Sequence, residues 1–528
     1  SLSIVSPNKK IKLPLTYDGN TFLSFNGEIY NFLDLKDKYK IEDKKFIYKT
    51  DTEILYHFLN NKSKNFSDLN GAWVFAHYDK NKHVLQLGRD TLGERNLYYY
   101  INKNELIFSS EIRPIFKANQ IKFSIDNVGL QDMWKYYSCR DNKTIIQDCF
   151  KLTPGKLKVF DYKNKKIGIS KEIELPILEI DKYSDFFLKS TNDEILQKFK
   201  DILFEEINLR FPKLVDLYSS LSGGIDSSFM NLILSKNEEL NTLYAISSEF
   251  NSEKRKEVNI SELQLSRLVS KEINSRHTIV DLREKCYSEA LRVSKNTLET
   301  LDPSILNFSM LAKKINNFGT KVVFASDGPD EFLCGYHRDI LNYYNNKKEF
   351  QKIPQHKILK DKNFYKRIFQ KVERDTTFFS EPDKRYKKYF KKIDLTQFKA
   401  LTYATKSLPE FINIRADKGF MLNSVEVRQP YLSQRIVEYL CGLPKEFRLN
   451  KNKKIGKVFL RSTFEKKVPL VGKFPKAGFG KNLISDDKVY KQISNQINET
   501  INDKKVLDKM NFKKGSQEFF LKENSHKK

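Results

Sequence analysis

Residues 221–228, Leu-Ser-Gly-Gly-Ile-Asp-Ser-Ser, combine the residue types that bind phosphate groups. The apolar pattern predicts a short buried strand over 214–221 and a helix over 225–235, which puts both glycines at a strand-to-helix turn. Glycine lets the backbone approach a ligand, and the first free N–H groups of a helix point towards it. The serines add hydroxyl donors, and the Asp226 carboxylate suits Mg²⁺. The stretch lacks the lysine of a Walker motif but predicts a polyphosphate site; Ser-Gly-Gly alone would equally fit a capped turn without a ligand.

A second acidic turn, residues 325–331 with the sequence Ala-Ser-Asp-Gly-Pro-Asp-Glu, follows another predicted strand. Asp327 and Asp330 would lie at the carboxyl end of that strand and face the same crevice as Asp226. Carboxylates there can hold Mg²⁺ and leave room for phosphates and water. Taken alone, the turn could equally be an Asx-type turn with solvated acids. Its combination with residues 221–228 favours ligand binding.

One lysine, Lys476, lies in the glycine-punctuated loop 474–480. At a phosphoryl or acyl centre such a lysine would stabilise developing negative charge. The alternative is a solvated surface lysine, as most lysines of this chain are expected to be.

The N-terminal part carries two further candidates. Residues 26–31, Asn-Gly-Glu-Ile-Tyr-Asn, directly follow a predicted strand, and the Gly27 N–H beside the Asn26 amide would form an oxyanion hole. Asp51 could hold an ammonium group. The alternatives are a β-turn at 26–31 and a helix N-cap at Asp51.

The elements that must position these residues differ between the two parts of the chain. Residues 1 to about 165 are rich in short β-branched and aromatic runs, which predict stacked antiparallel sheets. The predicted strands are 21–25, 73–78, 83–87, 97–100 and 106–108, with a helix at 52–60 and a last hairpin at 157–169.

From a helix start at residues 192–194 onwards, strands and helices alternate. This order predicts a doubly wound parallel sheet, which binds ligands beyond the carboxyl ends of its strands. After the first strand and helix, the predicted strands are 243–246, 277–280 and 321–325, and the helices are 260–273 and 310–317. Residues from about 340 to 510 are expected to form a helical cover, and the end from Lys513 is expected to fray.

Composition limits the class of protein. The 528 residues suggest two or three domains, and no run of about 18 apolar residues occurs. The first residues predict no signal peptide, and the five scattered cysteines predict free thiols in a reducing cytoplasm. The net charge of +27 is spread along the chain, so we expect a solvated surface and no nucleic-acid partner.

Residues 221–228 resemble the pyrophosphate loop of ATP pyrophosphatases, and taken in order the motifs resemble the glutamine-hydrolysing asparagine synthetases. The resemblance is carried by residues 2–5, 26–31, 88–90, 109–111, 221–228, 424–432, the Asp327 turn and the Lys476 loop. It implies an N-terminal-nucleophile glutaminase over 1–170, a linker over 171–190, and an aspartate-adenylating ATP-pyrophosphatase domain with a helical C-terminal cover over 191–528. An ammonia channel would join the two.

The resemblance also implies roles and cofactors, namely ATP and Mg²⁺. The implied glutamine ligands are Leu2, Ile4, Val5, Asn26, Gly27, Glu28 and Asp51. The implied ATP ligands are Leu221, Ser222, Gly223, Gly224, Asp226, Ser227, Ile246, Ala325 and Ser326. Asp226 and Asp330 would bind Mg²⁺, Asp327 would assist aspartyl-AMP formation, and Lys476 would stabilise the transition state.

The sequence departs from this family at several positions. The family's cysteine nucleophile is absent ahead of Leu2, so we expect a fragment that makes its amide from ammonia. Residues 93–97, Gly-Glu-Arg-Asn-Leu, replace a stretch that ends in Lys-Pro-Leu in the family, and Pro329, Cys334 and Ser433 are also unusual.

Other functions remain open at this stage. The acceptor could be another carboxylate, such as a sugar acid, a peptide or a β-lactam precursor. A tRNA-modifying pyrophosphatase and a non-catalytic scaffold are further alternatives. A homodimer is compatible with the sequence.

Overall fold

The structure, a computed structural model, describes most of the chain between residues 11 and 474. The described ranges are 11–42, 47–102, 105–118, 124–162, 168–212, 214–236, 240–246, 259–282, 287–336, 382–450, 455–464 and 468–474. Leu2, Ile4, Val5 and Lys476, much of the predicted helical cover and the end from Lys513 lie outside these ranges.

The N-terminal part, residues 11–174, contains two antiparallel sheets. Its strands are β1 (Thr21–Ile29), β2 (Gly71–Asp79), β3 (Val84–Arg89), β4 (Tyr98–Ile101), β5 (Leu106–Ser109), β6 (Cys149–Lys151), β7 (Lys156–Asp161) and β8 (Gly168–Glu174). The larger sheet has the order β1-β2-β3-β7-β8 and the smaller one β5-β4-β6. Antiparallel pairing confirms the predicted sheets, including the hairpin of β7 and β8.

Within the described ranges, four helices flank these sheets. They are α1 (Phe32–Lys38), α2 (Asp51–Asn60), α3 (Ile112–Ala118) and α4 (Asn127–Tyr136). Strand β2 shows the layering, because Trp73 and Phe75 pack in a core with α1 and α2. Val74 and Ala76 alternate with them and pack instead against Tyr99 of the smaller sheet. The two sheets are therefore stacked, as predicted.

The C-terminal part, residues 184–474, is built around a parallel sheet. Its strands are β9 (Leu217–Ser220), β10 (Asn241–Ile246), β11 (Arg276–Asp281), β12 (Val322–Phe324) and β13 (Glu426–Arg428). All four pairings in the order β11-β10-β9-β12-β13 are parallel. A short antiparallel pair, β14 (Leu449–Asn450) and β15 (Ile455–Gly456), lies apart from it.

Helices cover both faces of the parallel sheet. They are α5 (Ser184–Lys189), α6 (Asn192–Arg210), α7 (Ile225–Leu234), α8 (Glu262–Glu272), α9 (Tyr287–Asn296), α10 (Ser304–Asn317), α11 (Pro329–Phe332), α12 (Leu395–Thr402), α13 (Asn413–Met421), α14 (Gln434–Gly442), α15 (Lys445–Arg448), α16 (Val458–Ser462) and α17 (Pro469–Lys473). A π-helical stretch (Tyr403–Ile412) joins α12 to α13, and short 3₁₀ turns occur at Phe66–Asp68, Lys384–Tyr389 and Pro430–Leu432. Val322 and Phe324 pack with α6 and α7, whereas Val323 faces a second core with α10 and α13. The chain is thus a mixed α/β protein with antiparallel sheets followed by a parallel sheet and helices.

Three sequence predictions need correction. Strand β1 continues through Ile29, so Asn26 and Gly27 lie within a strand and pair with Val74 and Trp73 instead of following it in a turn. The strand predicted over 214–221 is limited to Leu217–Ser220, and Leu214 is exposed. Strand β13 was missed, because two of its three residues are charged.

The four cysteines that the structure describes are buried free thiols, as expected for them, and Cys286 lies outside the described ranges. Among the described helices, none has the length and apolar character needed to cross a membrane.

Candidate active site

The predicted phosphate-binding turn lies at the carboxyl end of the central strand β9. Leu221 continues the sheet contact, because its N–H donates to the Leu243 carbonyl of β10 at 2.8 Å. Gly223 has φ +75°, and a Cβ there would lie 2.8 Å from the Ser266 nitrogen, so only glycine fits. Gly224 is the N-cap of α7, which starts at Ile225. The turn therefore directs the free N–H groups of α7 towards the edge of the sheet.

The serine hydroxyls of this turn hydrogen-bond within it. The Ser227 hydroxyl accepts from the Ser222 N–H at 3.1 Å, and the two hydroxyl oxygens are 2.9 Å apart. The Ser222 hydroxyl also accepts from the Gly224 N–H at 3.3 Å. The hydroxyl groups of Ser222 and Ser227 are therefore held together within one turn.

The acidic turn lies beside it, at the end of β12. The Ala325 N–H donates to the Arg428 carbonyl of β13 at 3.0 Å, which fixes the start of the turn. The Asp327 carboxylate accepts from the Gln429 side-chain amide at 2.9 Å. Gly328 has φ +120° and precedes α11, where Asp330 is buried. Because β9 and β12 are parallel neighbours, the two turns meet at one edge of the sheet.

A lysine that the sequence did not indicate joins the two turns. The Lys457 ammonium lies 2.5 Å from Asp226 Oδ2 and 2.6 Å from Asp330 Oδ1, and the side chain is buried. Its backbone has φ +57°, and its N–H donates to the Leu333 carbonyl at 2.8 Å. Several lysines precede it in the sequence, so no pattern distinguished it from surface lysines.

The carboxylates of Asp226 and Asp330 are compatible with a magnesium site. Both carboxylates converge on one point, because each forms an ion pair with the Lys457 ammonium. Within the described residues, no group of three or more His, Cys, Asp or Glu side chains could hold a metal alone. Mg²⁺ typically takes one or two carboxylates and completes its shell with substrate phosphates and water. Two carboxylates beside the predicted phosphate-binding turn fit this requirement.

Two other predicted ATP ligands lie at the ends of strands of the same parallel sheet. Ile246 ends β10 and is buried, and Ser326 is partly buried directly after Ala325. Tyr431, to which the sequence assigned no role, donates its hydroxyl proton to the Asp226 carbonyl at 3.0 Å. It holds the start of α7 against the 3₁₀ turn at Pro430–Leu432.

The N-terminal candidates form a second cluster. Gly27 has φ +135°, and a Cβ there would lie 2.1 Å from the Ala72 carbonyl oxygen, so β1 and β2 require glycine. The Asn26 side chain is exposed. Asp51 is the first residue of α2 and is not its N-cap, which is Thr50. The buried Asp51 carboxylate accepts from the Ile29 N–H at 3.0 Å, and burial raises its pKa to about 6.

Charged side chains connect this cluster with the C-terminal part. Glu28 is buried 3.6 Å from the Arg428 guanidinium, and burial, with Glu426 and Asp51 nearby, raises the Glu28 pKa well above its usual value. Arg428 also donates to Glu426 at 2.7 Å. Arg95 lies 2.9 Å from Asp417 and 3.7 Å from Glu426. A continuous buried ion-pair network therefore runs from β1 to β13, next to the acidic turn.

Comparisons with known proteins cover both parts. The family model described as a glutamine amidotransferase domain matches residues 1–171, and the model described as asparagine synthase matches residues 198–526. An asparagine synthetase (glutamine-hydrolysing) of Bacillus subtilis is 25% identical over 497 residues, which cover 86% of this chain and 75% of that protein.

Two further comparisons are more distant. The amidase chry2 of Gibberella zeae is 28% identical over 215 residues, covering 38% of this chain and 29% of that protein. The solved glutamine phosphoribosylpyrophosphate amidotransferase of B. subtilis has a TM-score of 0.23 and 12% identity, covering 61% of this chain and 66% of the other. The asparagine synthase model matches more than half of this chain, so the chain belongs to the asparagine synthase family, with a glutamine amidotransferase domain before the matched region.

Proposed function

We propose that this protein uses ATP to amidate aspartate to asparagine through β-aspartyl-AMP. The observation that supports this best is the convergence of Asp226, Asp330 and Lys457 beside the glycine turn, at the carboxyl edge of the parallel sheet. Such an edge is where a doubly wound sheet binds its ligand. The fold would then be of the ATP-pyrophosphatase type in the C-terminal part.

The proposed ATP contacts follow the geometry of the two turns. The base would lie against Leu221, Ile246, Ala325 and Ser326. The polyphosphate would lie on the turn formed by Ser222, Gly223, Gly224, Asp226 and Ser227. Mg²⁺ held by Asp226 and Asp330 would neutralise phosphate charge, and Asp327 and Lys476 would act at the reacting centre.

The proposed reaction has two steps. In the first, a β-carboxylate oxygen of aspartate attacks the α-phosphorus of ATP, the bond to the β-phosphate breaks, and pyrophosphate leaves. In the second, ammonia attacks the acyl carbon, loses a proton, and AMP leaves. Lys457 beside the departing pyrophosphate would stabilise the charge that develops there.

The nitrogen would come from glutamine or from ammonia. We propose an N-terminal-nucleophile glutaminase over 1–170, a linker over 171–190 and the synthetase over 191–528. Leu2, Ile4, Val5, Asn26, Gly27, Glu28 and Asp51 would line the glutamine site. The Glu28–Arg428 contact supports communication between the two parts, because Arg428 also bonds to Ala325 at the start of the acidic turn.

Exchange of labelled pyrophosphate into ATP tests the first step. We expect exchange with aspartate and Mg²⁺, and its loss in Asp226→Asn and in Asp330→Asn, because each removes a carboxylate ligand. Asp193→Asn, an exposed change in the first turn of α6, is the matched control. Release of ADP and phosphate without AMP would contradict the proposal.

A second candidate is amidation of another carboxylate on the same site. The similarity to a protein named an amidase supports this second candidate. A panel of carboxylic acids in the same exchange assay separates the two, because the true acceptor should raise the exchange rate most.

A further inference from the structure

A guanidinium group lies beside the acidic turn. Arg415 is on α13, and the next residue, Ala416, packs in one core with Ala325 at the start of that turn. The Arg415 side chain is 23% exposed, so a dissolved molecule can reach it. None of the roles implied by the family resemblance falls on Arg415. A positive charge without an assigned role is therefore accessible at the edge of the sheet where we propose that ATP binds.

Three contacts hold the Arg415 guanidinium in place. Its Nη1 donates to Asp302 Oδ2 at 3.2 Å. Its central carbon lies 5.2 Å from the ring centre of Phe411 and 6.0 Å from that of Phe308. Such cation–π contacts restrict the orientation of the guanidinium plane. The group is therefore preorganised, and a ligand that binds to it loses little affinity to the ordering of the side chain.

One edge of this guanidinium has no partner among the described residues. Nε is buried and forms no hydrogen bond with them, and none of them accepts from Nη2. The N–H bonds of Nε and Nη2 point in the same direction, so this edge can bind a carboxylate through two parallel hydrogen bonds. A buried donor without an acceptor is costly, and a carboxylate at this edge would remove that cost.

The charge around Arg415 is mixed. Burial alone would lower the pKa of Arg415, but the pKa is raised overall by four groups that face the guanidinium, namely Asp302, Asp327, Tyr336 and Glu331. Three of these groups are acids, which would repel a simple anion. An amino acid also carries an ammonium group, which the same acids attract. The surroundings of Arg415 therefore suit a ligand with charges of both signs.

We propose that Arg415 binds the α-carboxylate of an amino-acid acceptor through Nε and Nη2, while the neighbouring acids accommodate the α-ammonium group. This inference rests on the proposed function, because it places the acceptor beside Asp327 and the bound ATP. An acceptor held at its α-carboxylate presents its second carboxylate at a fixed distance from Arg415. Arg415 is then a specificity-determining residue, which selects aspartate over acceptors that lack an α-carboxylate.

Isothermal titration of the full chain tests this contact, with MgCl₂ and a non-cleavable ATP analogue present. The two ligands are aspartate and its α-amide, which keeps the shape and removes the charge of the α-carboxylate. Wild type should bind aspartate at least about tenfold more tightly than the α-amide. Arg415→Gln should lower the affinity for aspartate at least about tenfold and leave that for the α-amide within about threefold, because only aspartate carries the group that Arg415 binds.

Two further variants separate lost recognition from a weakened fold. Arg415→Lys keeps a positive charge beside Asp302 but cannot form two parallel hydrogen bonds, so its affinity for aspartate should be intermediate. A weakened fold would lower the affinities for aspartate, the α-amide and the ATP analogue together, whereas the loss of an α-carboxylate contact affects aspartate alone. Arg267→Gln, an exposed change on α8, is the matched control and should leave all three affinities unchanged.

Pyrophosphate exchange then separates this inference from the proposed function. In that assay, Arg415→Gln should raise the KM for aspartate and leave the KM for ATP unchanged. Aspartate binding that depends on Arg415, without any exchange, would contradict the proposed function and leave the Arg415 contact standing. Exchange with an acceptor whose KM is unchanged in Arg415→Gln would support ATP cleavage and overturn the contact. Equal wild-type affinities for aspartate and its α-amide, or no binding of aspartate, would also overturn it.

Discussion

Replacing Lys457 by methionine tests whether the ion pairs with Asp226 and Asp330 hold the two turns together. Lys457 is 3% exposed, Asp226 9% and Asp330 8%, so the substitution leaves two nearly buried carboxylates without their shared cation. Removing one partner of a buried ion pair costs about 3–5 kcal/mol. We expect the first turn of α7 and the acidic turn to open more easily by that free energy.

Hydrogen exchange of the α7 backbone amides measures this opening locally, which matters because a chain with several cores need not unfold in one step. At about 1.4 kcal/mol per factor of ten, exchange in Lys457→Met should be roughly a hundredfold to a few thousandfold faster. MgCl₂ should restore part of the protection, because a divalent cation can take the place of the ammonium.

The matched control is Lys38→Met, which removes an exposed lysine from its contact with Asp68. This substitution should leave the hydrogen exchange of the α7 backbone amides unchanged. If Lys457→Met leaves α7 exchange within about threefold of wild type, the ion pairs do not support the turn, and the reasoning from burial is refuted.

Two further changes test the turns themselves. Gly223→Ala places a Cβ 2.8 Å from the Ser266 nitrogen, whereas Gly319→Ala, at a similar φ of +80°, meets open space. Both substitutions carry about 1–2 kcal/mol of backbone strain. Because only Gly223→Ala also creates a clash, only this substitution should abolish pyrophosphate exchange. Burial raises the pKa of Glu331 from 4.5 to about 7, so the folded state loses stability from this group as pH rises through that interval. Glu331→Gln should therefore gain on the order of 3 kcal/mol relative to wild type at about pH 8 and little at about pH 4, as measured by denaturant unfolding at both pH values. An equal gain at both would show that burial does not shift the Glu331 pKa.

Sequence patterns predicted the regular elements best where apolar residues repeat at the period of a strand or helix. The runs at 73–78 and 225–235 correspond closely to β2 and α7. Gly27 was predicted to follow a strand directly, yet it lies inside β1, where its φ and its close approach to Ala72 require glycine. Local propensity could not foresee a constraint that comes from the neighbouring strand.

The candidate site was predictable only in its local motifs. The turns at 221–228 and 325–331 carry their signal in consecutive residues, and parallel strand order brings them to one edge. Lys457 gave no such signal, because its position depends on its own left-handed backbone conformation and on a hydrogen bond to Leu333, a residue distant in the sequence. A lysine in a lysine-rich stretch is predicted to lie on the surface, because the sequence does not show its buried partners.

The ion pairs between the two parts explain why β13 was not predicted from the sequence. They also explain how β13 supports the acidic turn. Glu426 and Arg428 are buried because each has a partner: Arg95 contacts Glu426, and Glu28 contacts Arg428. A buried charge is tolerated only with such a partner, so the two parts can pack in few relative positions without leaving one unpaired. The Arg428 carbonyl in turn fixes Ala325 at the start of the acidic turn. Ion pairs made by the N-terminal sheet thereby help to position the carboxylates that we propose act on ATP.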